Sequence, residues 1–202
     1  MMKVLGRSTS GNVQKVVFLL EELALPYRRE DYGRQFGNTA TPEYLALNPH
    51  GKVPTLVDGD VAVWESNTIL RYVANSAGAK GAALYPSEPA ARSRVERWMD
   101  WLLAALNPPY MGLFREAKKP EAERAASWGV DAKDMAQLLS VLDGAIGAGP
   151  WITGTSLSLA DVALAPIVHR CLDFPIDLPA LAALRSWRAR VTERPAFNKA
   201  VA

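Results

Sequence analysis

"NPHGKVPTLVDGDVAVWESNTILRYVANSAG", residues 48 to 78, decides how the first part of the chain folds. Two apolar runs flank Asp58-Gly59, a strong two-residue turn signal, so 53–66 reads as a β-hairpin. Behind the hairpin, Ile69, Leu70, Val73 and Ala74 fall on one face of a helix over 65–78. Pro54 stands at the first residue of a strand, where a missing N–H breaks no ladder bond. A hairpin followed by a helix, entered through a proline bend, is part of an α/β unit.

The flanks complete that unit. "KVLG" (3–6) is a short apolar strand candidate, followed by the loop "RSTSGN" (7–12). Val13, Val16, Val17, Leu20, Leu23 and Ala24 then recur at helical spacing, with Lys15, Glu21 and Glu22 on the other side. "LPYRREDY" (25–32) reads as a second strand, and a short helix starts after Thr41, where Pro42 suits the first helical position. The order is βαβ, short helix, ββα.

Downstream, "AKGAALYPSEP" (79–89) is rich in Gly, Pro and small residues and reads as a linker. Beyond it the strand pattern stops. Val95, Trp98, Met99, Leu102 and Leu106 follow a 3.6-residue period. So do Met135, Leu138, Leu139, Leu142 and Ile146, and later Leu181, Leu184, Trp187 and Val191. The expected organisation is an α/β domain over 1–80, a linker over 81–88 and an all-helical domain over 89–202.

Composition removes several function classes. The chain has 202 residues, 49% apolar and 22% charged, the profile of an ordinary globular protein. Lys plus Arg is 23 against 21 acids, with no basic stripe, so nucleic acid is not an expected partner. One cysteine, Cys171, and two distant histidines, His50 and His169, predict neither a disulfide framework nor a metal site. Cys171 and His169 read as structural. The longest apolar run, "VALAPIV" (162–168), is far short of a membrane span, and "MMKVLGRS" has no apolar signal segment. A cytoplasmic protein is expected.

Four stretches stand at helix or strand entrances, and the first three have two readings. In the loop, "SGN" (10–12) can cap the following helix, as Ser and Asn commonly do. It can also hold an anion, because helix N-termini offer open N–H groups and partial positive charge. A thiolate placed there would gain stability, lowering its pKa from about 8.5. "GKVP" (51–54) is a turn into a strand, or a bend that presents the Val53 backbone to an extended peptide. "ESN" (65–67) is a helix cap, or a site where Ser66 faces a carboxylate and Glu65 an ammonium. "SLAD" (158–161) reads as a capping box only: Ser158 and Asp161 start a buried helix.

The ordered set "NPHGKVPTLVDG", "ESNTILRY", "SLADVALAP" and the terminal "RPAF" (194–197) resembles the cytosolic glutathione transferase family over essentially the whole chain. The resemblance implies a thioredoxin-like N-terminal domain, an all-helical C-terminal domain, glutathione as co-substrate and a homodimer. Members hold the glutathione thiol with Tyr, Ser or Cys near the first helix. Here the first tyrosine is Tyr27 and the single cysteine is Cys171, which leaves a hydroxyl-type site. Ser10 falls where plant-type serine members keep their catalytic serine. Asn12 falls where some bacterial, disulfide-reductase-like members keep a functional asparagine. Ser8 and Thr9 stay open, because a one-residue shift changes which hydroxyl points inward.

By the same resemblance, Val53 pairs through its backbone with the cysteinyl part of glutathione and Pro54 is cis. Glu65 and Ser66 hold the γ-glutamyl end, and Lys52, His50 and Gln35 face the glycine carboxylate. Trp101, Asn107, Tyr110, Met111 and Phe114 are candidates for the pocket of a hydrophobic electrophile, expected between the domains. Trp98 reads as core, and Pro108-Pro109 are expected to kink or break the helix that carries these residues. The implied activity is attack of glutathione thiolate on an apolar electrophile. Its rivals are a glutathione-dependent disulfide reductase or peroxidase, and a binding or scaffold protein without turnover.

Overall fold

β1 (Met2–Leu5) lies inside a four-stranded sheet of order β2-β1-β3-β4 in a computed structural model that describes all 202 residues. β2 (Tyr27–Glu30) runs parallel to β1, while β3 (Thr55–Asp58) and β4 (Val61–Trp64) form an antiparallel hairpin beside it. The register pairs Val4 with Leu56, both fully buried. The hairpin turn is Gly59-Asp60, one residue later than the sequence signal. Asp58 is still paired with Val61, and Gly59 takes the positive φ of 59° that the turn needs.

The first crossover is α1 (Gly11–Glu22), buried on nearly every side from Val13 to Leu20. It packs against β1, against α3 (Ser66–Ser76) and against α10 (Pro195–Val201). Three partners around one helix explain a departure from the sequence pattern. Lys15, expected on a solvated face, is 1% exposed. Ala24 departs in the other direction: it lies past the helix end, exposed, at φ 53°. α2 (Pro42–Leu47) starts as expected, with the Thr41 hydroxyl accepting from the Tyr44 N–H. On α3 the expected core face holds, with Ile69, Leu70 and Val73 at 0% exposure.

The chain divides into two compact units, 1–87 with 192–202, and 88–191. These limits differ from the expected 1–80 and 89–202 at two places. The stretch read as linker contains a helix, α4 (Gly78–Leu84), which packs on α3. The last residues join the first unit because Phe197 meets Phe18 edge-on at 5.4 Å, while Arg194 and Lys199 pair with Glu22 and Glu21. Burying two phenylalanines contributes about 1.5–3 kcal/mol each.

The second unit is helical: α5 (Pro89–Trp101), α6 (Asn107–Glu116), α7 (Trp128–Ile146), α8 (Leu159–Cys171) and α9 (Ala182–Thr192). Between α5 and α6 the chain continues as a π-helical stretch, Leu102–Leu106. Pro108 and Pro109 follow it without breaking the helix, which runs on as α6; the widened turn, in which the Asn107 N–H donates to the Leu102 carbonyl, comes just before the two residues that lack an N–H. Val95, Met99, Leu102 and Leu106 are buried as expected. Trp98 and Leu138, also expected inside, are only half-buried. Trp98 stands edge-on to Trp101 at 5.2 Å.

The capping box at α8 is complete. Asp161 accepts from the Ser158 N–H and hydroxyl, both at 2.9 Å, from the Ile152 N–H at 3.0 Å and from the Trp187 indole at 2.8 Å. The carboxylate is fully buried, and burial pushes its pKa up against the pull of those donors. No helix of the chain is long and apolar enough to cross a membrane.

Candidate functional site

Two helix N-termini and one bend meet at the end of the first unit. Ser10 is the N-cap residue of α1 and is 9% exposed. Its backbone closes the turn, but its hydroxyl makes no capping bond to the helix. Asn12, in the first turn, accepts at Oδ1 from the Ser66 hydroxyl at 3.4 Å. That bond joins residues 54 apart in sequence and sets the start of α1 beside the start of α3. Ser8 and Thr9 differ from Ser10 in setting. Ser8 is half-buried with its carbonyl accepting from the Gln14 side chain, and Thr9 is exposed.

At the start of α3, Glu65 stands at φ 67°, ψ 115°, outside the regions that ordinary residues favour. Such backbone persists only where the surroundings enforce it, and it clusters at binding sites. The consequence is a divergence of neighbours: Glu65 is exposed, while Ser66 is 4% exposed. The Glu65 side chain does not cap α3, and the Ser66 hydroxyl donates to Asn12.

The bend is held from beneath by residues that the sequence reading did not single out. Tyr44 donates to the Lys52 carbonyl at 2.6 Å and meets the Thr55 hydroxyl at 2.9 Å. Asn48 donates to the same two acceptors at 2.8 and 3.0 Å and accepts from the His50 N–H. With Lys52 and Thr55 fixed on either side, Val53 and Pro54 have little freedom, and the peptide bond between them is cis. The signal for Tyr44 was its place on the buried face of α2, two residues after Pro42. Asn48 is buried and carries both polar ends of its amide into bonds.

Gly6 allows the bend to approach. A Cβ there would lie 2.4 Å from Cγ2 of Val13 and 3.3 Å from Cβ of Val53, so only glycine lets these three segments close. Lys52, His50 and Gln35 are all exposed, the last in a short 3₁₀ turn over Arg34–Phe36.

Lys15 lies one turn beyond Asn12 on α1. Burial lowers its pKa from 10.5 to about 7, opposed by the charge of Glu65. No sequence signal marked it, because a lysine in an amphipathic helix ordinarily faces solvent.

In the second unit the proposed electrophile residues separate. Tyr110 (4% exposed) and Phe114 lie together with ring centroids 5.6 Å apart, and Phe174 joins at 6.0 Å from Tyr110. Arg170 donates to the Tyr110 hydroxyl at 3.3 Å and stands 5.8 Å from the Phe114 ring centre. Phe174 and Arg170 were not among the expected residues. Trp101 pairs with Trp98 instead, Met111 is half-buried and Asn107 is exposed. Cys171 is fully buried, which pushes its thiol far up, and His169 accepts from Arg188 with its pKa lowered by burial. No group of three or more His, Cys, Asp or Glu side chains could hold a metal ion.

A mixed four-stranded sheet with a cis proline entering β3, followed by an all-helical unit, defines a thioredoxin-like domain joined to a helical one. The family described as "Glutathione S-transferase, N-terminal domain" matches residues 1–75, and "Glutathione S-transferase, C-terminal domain" matches 121–197. The chain belongs to the cytosolic glutathione S-transferase family. It is 35% identical to glutathione S-transferase GstB of Escherichia coli K12, over 100% of this chain and 98% of that protein. It is 28% identical to the disulfide-bond oxidoreductase YfcG of the same organism, over 94% of this chain and 90% of that protein. The solved theta class glutathione S-transferase of Xanthomonas axonopodis pv. citri, with glutathione bound, superposes with a TM-score of 0.91 at 37% identity, covering 99% and 96% of the two chains.

Proposed function

We propose that this protein is a glutathione transferase that activates the thiol of bound glutathione for attack on hydrophobic electrophiles, with Ser10 as the hydroxyl donor to the thiolate. The observation that carries the reading is the Ser10 hydroxyl: buried at a helix N-terminus, yet not used to cap that helix. The open N–H groups of α1 and this hydroxyl favour an anion at one point, which lowers a thiol pKa. The new bond forms between the glutathione sulfur and the electrophile. The protein supplies a raised thiolate population, a preorganised donor and proximity.

The rest of the tripeptide follows the same geometry. The cis bend at Val53-Pro54, fixed by Tyr44 and Asn48, suits backbone pairing with the cysteinyl residue. Glu65 and Ser66 receive the γ-glutamyl end. Lys52, His50 and Gln35, all exposed, are offered to the glycine carboxylate, where a cation gains a charge-assisted bond. The Tyr110, Phe114 and Phe174 rings are the apolar surface for an electrophile. A homodimer in the cytoplasm is part of this reading.

The test is glutathione binding with the ultraviolet absorbance of the bound thiolate followed over pH. In the wild type the bound thiol titrates below about 8.5. In Ser10→Ala its pKa rises while binding persists. An unchanged thiol pKa in Ser10→Ala removes Ser10 from the role.

A second reading, glutathione-dependent disulfide reduction, is favoured by Asn12. Its Oδ1 is engaged by Ser66, which turns the amide N–H₂ to other partners, and YfcG is a relative. Turnover of a small disulfide exceeding that of an aryl halide, abolished in Asn12→Ala and kept in Ser10→Ala, selects it.

A further inference from the structure

Lys15 is a cation inside the first unit, 1% exposed and enclosed by neighbours of α1. An ammonium taken from water is strongly penalised unless acceptors or an anion replace the solvent. Burial here outweighs the pull of Glu65, the charge that acts on Lys15. The cations that α10 brings to α1 lie elsewhere, on Glu21 and Glu22. Lys15 is therefore a buried positive group whose compensation within the chain is incomplete.

Its place gives the missing partner. Lys15 is three residues past Asn12, on the same face of α1. Asn12 bonds to Ser66, so that face looks onto the start of α3. There the Ser66 hydroxyl and the open N–H groups of an 11-residue helix add positive character. Glu65, thrown outward by its positive φ, adds one negative charge beside them. A plain anion would meet Glu65, and a plain amine would meet Lys15. An α-amino-acid head, with ammonium and carboxylate on one carbon, satisfies both.

We propose that Lys15, together with Ser66, receives the carboxylate of the γ-glutamyl amino-acid head whose ammonium lies at Glu65, making the Lys15–Glu65 pair a selector for a zwitterion. This rests on the glutathione reading above and adds a binding residue to it. A carboxylate arriving beside Lys15 favours its charged form, so binding draws a proton onto it near neutral pH.

The test uses S-methylglutathione, which has no thiol proton to release, and calorimetric titration at pH 7.5 in two buffers of different ionisation enthalpy. The wild type binds with net uptake of a fraction of a proton. Lys15→Met binds about tenfold or more weakly, as loss of a charge-assisted contact implies, and takes up no proton. Lys15→Arg keeps affinity within about threefold and also takes up none, because a guanidinium stays charged throughout. If the wild type binds without proton uptake and Lys15→Met binds equally well, the Lys15 assignment falls while the glutathione reading stands. If the wild type does not bind S-methylglutathione, both fall. The proton count on wild type decides the matter even if Lys15→Met does not fold.

Discussion

Ser158 and Ser10 each stand at the N-cap of a buried helix, and the structure uses them in opposite ways. Ser158 is engaged by its own chain: its N–H and hydroxyl both go to Asp161, which also gathers the Ile152 N–H and the Trp187 indole. Every group in that knot has a partner, so it orients α8 and offers nothing outward. The Ser10 hydroxyl makes no such bond, and the Glu65 side chain does not cap α3. The same residue type at the same helix position is architecture when its own chain satisfies it, and is left for a ligand, the role proposed for Ser10, when the chain leaves it open.

Breaking the closed knot should have the largest effect. Asp161→Ala strips one acceptor from several buried donors and is expected to destabilise the protein by about 3–5 kcal/mol, read from urea unfolding. A change below about 1 kcal/mol would mean that solvent enters and replaces the carboxylate. Opening the other side reverses the pattern. Ser10→Ala should lower kcat/KM for conjugation by about 10–100-fold while moving unfolding stability by less than about 0.5 kcal/mol. A true capping serine would lose about 1 kcal/mol instead, so the urea midpoint separates the two roles.

A third measurement places Lys15 in the comparison as a buried group that its chain leaves poorly compensated. Its pKa in the fold, about 7, lies below the 10.5 of the unfolded chain, so the folded state penalises the charged form. That penalty is full below pH 7 and fades as pH rises from 7 to 10.5. Lys15→Met should therefore raise Tm of the unliganded protein most at pH 6, with the gain shrinking by pH 10. A gain independent of pH would show that packing, not charge, is responsible. The smallest effect concerns Cys171: its buried, high-pKa thiol should resist iodoacetamide at pH 8 in the native protein and react only on unfolding.

Much of this was legible in residue order. Hairpin, helix faces, capping box and the two-part organisation follow from local patterns of period, turn residues and caps. The residues proposed to hold glutathione lie in short motifs whose order resembled the family. What escaped was long-range. Tyr44, on a short helix, and Asn48, just past its end, are ordinary residues until the fold sets them under the Lys52 carbonyl. Phe174 and Arg170 reach Tyr110 across 60 residues or more. The hairpin turn moved by one residue because strand pairing extends as far as Asp58 and Val61.

The sequence by itself determined most of the elements, their order and the three entrances at which glutathione is proposed to be held, because capping, turns and periodicity are short-range. Only the tertiary structure decided that the Ser10 hydroxyl does not cap its helix, that the last residues pack on α1, and that Lys15 is inside. Those outcomes depend on which neighbours surround a side chain. An amphipathic pattern sorts the faces of one helix, but a helix enclosed by a strand and two other helices has almost no solvated face left.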